Sequence, residues 1–482
     1  MKKSTGLVAG VVVVALAYSG ASWYMGKQAQ LAVEHLVANA NEGFRSVAGD
    51  GSTDPVAQLR IDRFERGVFS SLADYTLTIP DASDSPIEVR IADRLHHGPF
   101  PWALLKSGDF APALAASFAR LIPTATTQAW VSSQPNGVSP LSIQTRVSLA
   151  GQAHTRFSFK PVDIKRDGEH IVFSGGLITV DWSNDFRDHK VHGAFETLSV
   201  AGETVEGELA FSGIALSHDS QTQSDGQVRV QGKLGVSKIT ASDESFDGDI
   251  VLDNSAVVYE STQKDTLLSA TLRYDFGRIR LGDIDLGSIA LGGRASNIDA
   301  IQMASLLKLL DAIDTRQTRD DSLDLLPAEQ ESLEKHFKAM VALKPVVAID
   351  PVLWKTAKGE SSALIDLHLA PAENQTEGRP VSPDELLVQS IRNLEIRLDL
   401  SRPMLVHLFT QFESDPAERE QLAAFANMMF DGYVKELEAS GLVKVREDGA
   451  STRMVFSKGA LSVNDQPMSI EELMGLVFQM VL

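Results

Sequence analysis

The chain opens on an uninterrupted apolar run and only afterwards settles into alternation. Residues 4–26 carry no charge; Leu7, Val11, Val12, Val13, Val14 and Leu16 form the apolar centre, Lys2 and Lys3 precede it, and Trp23, Tyr24 and Lys27 close it. As a helix such a run reaches roughly 34 Å, enough for a bilayer core of about 30 Å. Backbone groups in hydrocarbon must pair internally, so even a valine-rich segment is helical there. The lysines favour a cytoplasmic N-terminus, and Trp23 and Tyr24 suit the far interface. The pattern therefore predicts a cytoplasmic tail over 1–5, a transmembrane anchor over 6–26 and a helical stalk over 27–48. The stalk's apolar positions are read at Leu31, His35 or Leu36, and Ala38 to Asn39. A cleaved signal peptide, cut after the small residues near 15–21, is the competing reading. Either way the bulk of the chain is exported.

From residue 59 to about 295 apolar and polar residues alternate. Leu141, Ile143, Thr145, Val147 and Leu149 share one face of a strand, and Phe157 with Phe159 and Ile178 with Val180 repeat the pattern. Short turns between such runs predict antiparallel meanders with one buried and one wet face. One interruption, rich in Ala and Leu between Pro101 and Pro123, predicts a helix near 101–122. A five-residue repeat, Ile279–Gly282, Ile284–Gly287 and Ile289–Gly292, cannot keep one face of a regular strand and predicts glycine bulges or bends. The remainder, 296–482, mixes helices at 298–313, 327–341, from Pro403 and at 416–439 with strands at 346–354, 363–369 and 394–400 and a closing hairpin. The fold class is α+β: one transmembrane helix, then a large periplasmic body dominated by antiparallel sheet, as a β-rich domain (59–295) and an α+β C-terminal domain (296–482).

Composition narrows the chemistry. The 482 residues include no cysteine, which excludes disulfides, thiolate metal sites and cysteine nucleophiles. A net charge of −20 disfavours nucleic acid and anionic headgroups as partners, since both require clustered positive charge. His96–His97 adjoin Asp93, and His189 and His192 lie three apart beside Asp185 and Asp188, where they could ligate a metal together only from a turn or helix. Ser305 and Lys308 have the spacing of a serine activated by a lysine one helical turn on, without the partner motifs of that mechanism. Asp283 and Asp285 read as solvent-facing strand residues. Neither a nucleophile elbow, a zinc-protease helix nor a phosphate loop occurs. No cofactor, metal or catalytic residue is expected, and the chain reads as a non-enzyme.

Two segments are specified by more than alternation: Arg66-Gly67-Val68-Phe69-Ser70-Ser71, and the corner His97-Gly98-Pro99-Phe100-Pro101, whose Gly-Pro and Phe-Pro pairs fix extended geometry. The corner reads as a rigid strand-to-helix junction rather than a docking elbow. With the charged start and apolar anchor, these segments resemble the YdgA-like family of proteobacterial envelope proteins. Asn297-Ile298-Asp299-Ala300, Leu400-Ser401-Arg402-Pro403-Met404 and Leu461-Ser462-Val463-Asn464 follow the same order, and Asp465 departs from the glycine expected in the terminal turn. The resemblance implies inner-membrane association, a periplasmic body, homodimerisation and no established activity; it supplies no catalytic residue. The resulting expectation is a non-enzymatic envelope protein that binds its own copy or another envelope protein through sheet edges and the apolar side of 301–310. Lipid or another hydrophobic ligand is the alternative, and a serine- or metal-dependent hydrolase a remote one.

Overall fold

The computed structural model describes residues 2–48, 56–80, 86–125, 127–135, 138–166, 168–202, 207–243, 248–320, 325–372 and 383–473; side chains at 2–17, 46–48, 166, 243, 318–320 and 383–385 are not described. The chain forms two compact units, Met1–Thr222 and Gln223–Leu482.

The first unit begins with one unbroken helix, α1 (Lys2–Ala48), which spans the expected anchor and stalk without a joint. Among the described residues no helix is long and apolar enough to cross a membrane. The side chains of Leu7, Val11, Val12, Val13, Val14 and Leu16, on which the anchor reading rests, lie outside them. From residue 18 onward α1 is no free stalk. Ser22, Gly26, Ala29 and Val37 are buried in a seam at helical spacing, whereas Leu31, expected on the apolar face, is exposed. Small residues at these positions let the helix backbone approach the sheet beneath.

That sheet is antiparallel throughout. Strands β1 (Gln58–Arg66), β2 (Ser70–Ile79), β3 (Ile87–His97), β4 (Ala115–Ile122), β5 (Leu141–Val147) and β6 (Ala153–Phe159) pair in chain order. Between them lie two five-residue helices, α2 (Trp102–Lys106) and α3 (Gln128–Ser132). A hairpin, β7 (Val162–Arg166) and β8 (Glu169–Phe173), precedes β9 (Gly176–Trp182), which pairs with β6. The long β10 (His189–Gly202) pairs along its first half with β9, along its second with β8, and on its other side with β11 (Gly207–Thr222).

The helix expected near 101–122 is therefore corrected: only residues 102–106 are helical, and the alanine-rich half is β4. The reason is burial on both faces. Ala115 and Ala119 face α1, while Ala116 packs with Leu104, Ala113 and Phe118 under α2. A doubly covered strand shows no alternation, and alanine's helical preference is too weak to resist tertiary packing.

The second unit is a longer meander. Strands β12 (Val228–Asp243), β13 (Ile250–Lys264), β14 (Leu267–Leu281), β15 (Ile284–Asp299), β16 (Val346–Thr356), β17 (Gly359–Leu369) and β18 (Ile391–Ser401) pair successively. The order closes with β19 (Lys444–Arg446), β20 (Gly449–Ser457), β21 (Ala460–Val463) and β22 (Gln466–Met468), β20 lying against β18. Helices link strand ends: α4 (Ala300–Asp320) with α5 (Pro327–Val341), α6 (Pro383–Ser390), and α7 (Arg402–Thr410) with α8 (Pro416–Ala439). In the glycine repeat, Gly282 with φ of 54° turns the β14–β15 hairpin, Gly287 sits where the β14–β15 register shifts, and Gly292 where β15 slips against β16. Two of the three glycines thus mark irregularities, as the period predicts, and the third is a turn. Asn464 and Asp465 both have positive φ, the geometry of a tight two-residue hairpin turn, so that turn survives without glycine.

Opposed residues of antiparallel strands point to the same face. In this sheet Tyr259, Leu272, Gly293, Ile349, Ile365, Ile396 and Met454 stand in one row across seven strands. One position over, on the opposite face, Arg294 reaches Asp366 at 3.2 Å, and Arg453 links Glu395 at 2.7 Å with Asp465 at 3.3 Å. One face is apolar and the other is laced with ion pairs.

Because Ala73 is fully buried and opposes Asp93, on the face of the sheet that carries His97, Ala73→Leu is expected to overpack that face and cost about 1–3 kcal/mol. Urea unfolding of the full chain measures this; an unchanged midpoint would mean the face is loosely packed.

Candidate functional site

The two segments singled out by sequence meet at one place, and α1 closes over them. Gly67 turns β1 into β2: its N–H donates to the Ser70 carbonyl at 2.9 Å, and a Cβ on Gly67 would lie 2.6 Å from that oxygen. The turn delivers Ser71 to the first positions of β2, beside His97 at the end of β3. Ser71 is 2 % and His97 1 % exposed.

The ring of His97 has both nitrogens engaged. Nδ1 lies 2.9 Å from the Ser22 carbonyl of α1, which can only accept, so Nδ1 carries the proton. Nε2 is then the acceptor for the Ser71 hydroxyl at 3.1 Å. The Ser22 hydroxyl in turn donates to the His97 carbonyl at 2.7 Å, so helix and strand are joined twice through one pair of residues. Gly26 sits over the imidazole, where a Cβ would be 2.6 Å from the ring. Gly98, with φ of 121°, passes close to Ser22, and a Cβ there would lie 2.7 Å from its Oγ.

The rest of the corner supports this contact. The Gly98 N–H donates to Leu114 and the Ala113 N–H to Pro99, which tie the corner to the approach of β4. Pro101 is buried at the start of α2, and its carbonyl accepts from the amides of Leu104 and Leu105. The Tyr18 hydroxyl donates to the Phe100 carbonyl at 2.8 Å, and its ring stacks on Phe69. Arg66 lies 5.2 Å from the centre of the Trp23 ring. Arg66, Gly67, Ser71, His97, Gly98, Pro99, Phe100 and Pro101 thus form one constellation. Its partners on α1 — Tyr18, Ser22, Trp23 and Gly26 — lie in the charge-free stretch that the sequence pattern predicts to be a membrane anchor. The signal for them was there: Ser22, Gly26 and Ala29 recur at i, i+4 and i+7, the spacing of a close-packing helix face.

Burial holds the His97 pKa below the ordinary imidazole value; hydrogen bonds to the backbone of Ser22 and Ser70 oppose the shift, and nearby Arg66 adds to it. Farther along the same face of β3, Asp93 accepts from the Ser117 hydroxyl at 2.7 Å, and burial raises its pKa. Ser71, His97 and Asp93 are the residue types of a hydrolytic triad, yet Asp93 bonds Ser117 while the Nδ1 of His97 is committed to α1. A serine and histidine this deeply covered have no room for a substrate. The arrangement fastens a helix.

The remaining candidates separate. His189 and His192 fall on opposite faces of β10; His189 instead approaches His218, with 3.1 Å between their Nε2 atoms. Among the described residues no group of three His, Cys, Asp or Glu could hold a metal. The Ser305 hydroxyl donates to the Ile301 carbonyl of its own helix at 2.9 Å, an ordinary helical back-bond rather than a contact with Lys308. Asp285 is paired with Arg278 at 2.8 Å, and that hydrogen bond lowers its pKa.

Two measurements test the clamp. Gly26→Leu would drive its side chain into the His97 ring and is expected to speed amide hydrogen exchange across residues 18–37; unchanged protection would show that α1 does not depend on this contact. The second is pH. The unfolded state titrates near about 6.5 and the folded state lower, so the contribution of His97 is full above that value. It declines as pH falls below it through the folded pKa, because the unfolded chain then binds the proton more readily. His97→Gln should therefore flatten the acid side of the stability profile relative to wild type, isolating His97 from the neighbouring His96; identical profiles would contradict the assignment.

A family model described as a bacterial protein of unknown function (DUF945) matches residues 1–471. Protein YdgA of Escherichia coli K12 is 23 % identical over 99 % of this chain and 97 % of its own length. An uncharacterised protein, YihF, of the same organism is 22 % identical over 98 % of both chains. An uncharacterised Haemophilus influenzae protein is 25 % identical over 40 % of this chain and 52 % of its own. No solved structure matches. The chain belongs to the DUF945 family of bacterial proteins of unknown function and is YdgA-like along its whole length.

Proposed function

We propose that this protein is a membrane-tethered, non-catalytic binding component of the bacterial cell envelope, with its N-terminal segment in the inner membrane and its β-rich body in the periplasm. The observation that carries the reading is the continuity of α1. One helix runs from the charge-free N-terminal stretch directly into the seam at Ser22, Gly26, Ala29 and Val37. A helix so fastened transmits its orientation to the sheet, which suits a body kept at a fixed attitude to a surface. The sealed serine–histidine pair supports a role in binding over one in catalysis.

Self-association is a second reading with its own observation. Phe425, Met428, Met429 and Tyr433 are exposed along one side of α8, and Ile301, Leu307 and Leu310 are exposed on α4, the surface expected from sequence. Exposed apolar ridges of this kind are typical contact surfaces.

A periplasm-active reporter fused to Leu482 is expected to be active, and one that works only in the cytosol inactive; the reverse result would end the tether reading. Met428→Glu with Tyr433→Glu is expected to abolish a crosslinked dimer in native membranes. A dimer that persists would remove α8 as its contact.

A further inference from the structure

Among the described residues, large side chains on the apolar face of the second unit's sheet stay exposed. Leu398 is 37 %, Leu272 41 % and Ile349 46 % exposed, while Tyr259, Val257, Val352, Ile396 and Met454 in the same rows are half-buried. Neighbouring rows in the same register extend it: Leu234, Val257, Tyr274, Leu291, Val352, Ala363 and Leu398 on one side. Seven strand-to-strand spacings of about 4.8 Å make the face roughly 34 Å wide, longer than an extended acyl chain. These two rows contain no charged side chain. The opposite face carries the Arg294–Asp366 and Glu395–Arg453–Asp465 pairs, so the two faces belong to different environments.

We propose that this face is a binding surface for lipid acyl chains, laid across the strands along the apolar rows. The occupant follows from complementarity. Only hydroxyl groups such as that of Tyr259 break the hydrocarbon, so recognition must be non-directional and apolar, as for a methylene chain rather than a peptide. Self-association has its own exposed ridge on α8, and a net charge of −20 spread over the chain disfavours anionic ligands rather than uncharged ones. The same acidity selects neutral or zwitterionic headgroups, left in water at the rim. The assignment deepens the binding role proposed above, in which a tether keeps the body beside a lipid source.

The test uses the full chain in phosphatidylcholine vesicles that contain a phosphatidylcholine with a diazirine near its acyl terminus. After irradiation, labelled peptides are mapped by mass spectrometry. The expected labels fall on β14, β16 and β17 at Leu272, Tyr274, Ile349 and Ile365. Leu272→Glu with Ile365→Glu should reduce them by about tenfold, since each buries a charge in the chain's path. Thr271→Glu, on the other face, should leave them unchanged. If the double variant loses the wild-type melting transition, Leu272→Gln alone serves, with a smaller loss expected. Labels confined to residues 2–26, equal labels on both faces, or copies crosslinked through Ile349 would each overturn the proposal. Vesicle flotation of the same samples reads the tether separately. A chain that floats without label on the face defeats the acyl-chain assignment alone. A chain that does not float defeats the tether, and a short-chain photoreactive phosphatidylcholine below its micellar concentration then decides the face by the same label map.

Discussion

The first unit depends on how closely a helix backbone can approach a sheet. Ser22, Gly26 and Ala29 on one side, and Ala73, Ala115 and Ala119 on the other, are small enough to let α1 settle onto the strands. Close approach creates a problem, because polar groups trapped in the seam lose water. His97 resolves it: the ring uses one nitrogen on the helix and the other on the sheet, and the Ser22 hydroxyl satisfies the strand carbonyl in return. A buried donor or acceptor left unmade costs about 1–3 kcal/mol, so this reciprocity is a condition of docking rather than an ornament on it. The positive φ of Gly98 and the prolines of the corner hold the imidazole where that exchange is geometrically available.

The second unit answers the same burial problem differently. Its sheet is equally amphipathic, but the described helices join strand ends and leave large side chains of the apolar rows exposed. Alternation along each strand and correct register between strands produce a continuous hydrocarbon surface on one side and a lattice of ion pairs on the other. Exposed pairs of that kind add little stability individually. Their value lies in making the wet face unmistakably wet, which fixes which way every strand turns. The apolar face then remains for something outside the sheet.

Much of this was legible in the chain. Strands such as β5, β9 and β18 follow from alternation, and α5 begins and ends where Pro327 and Val341 predict. The Arg66–Ser71 and His97–Pro101 segments stood out because glycine and proline constrain the backbone without serving an obvious core. What was not legible has physical causes. β4 is covered on both faces and loses its alternation, so its alanines looked helical. Ser22 and Gly26 lie within a charge-free run whose hydrophobicity suggested lipid, although their partner is protein. The pairing of His189 with His218 depends on strand register, which no local spacing reveals. That a face is apolar can be read from a strand; that its side chains stay exposed among the described residues cannot.

The central claim is that α1 is fastened to the sheet through Ser22, Gly26 and His97. The absence of native cysteine makes a direct distance measurement simple. Spin labels on cysteines introduced at exposed Lys27 on α1 and Val68 in the β1–β2 turn report the separation of helix and sheet by electron–electron double resonance. A fastened helix predicts one narrow distance distribution in the full chain. A broad distribution, or two populations, would show that the helix swings free and would contradict the account.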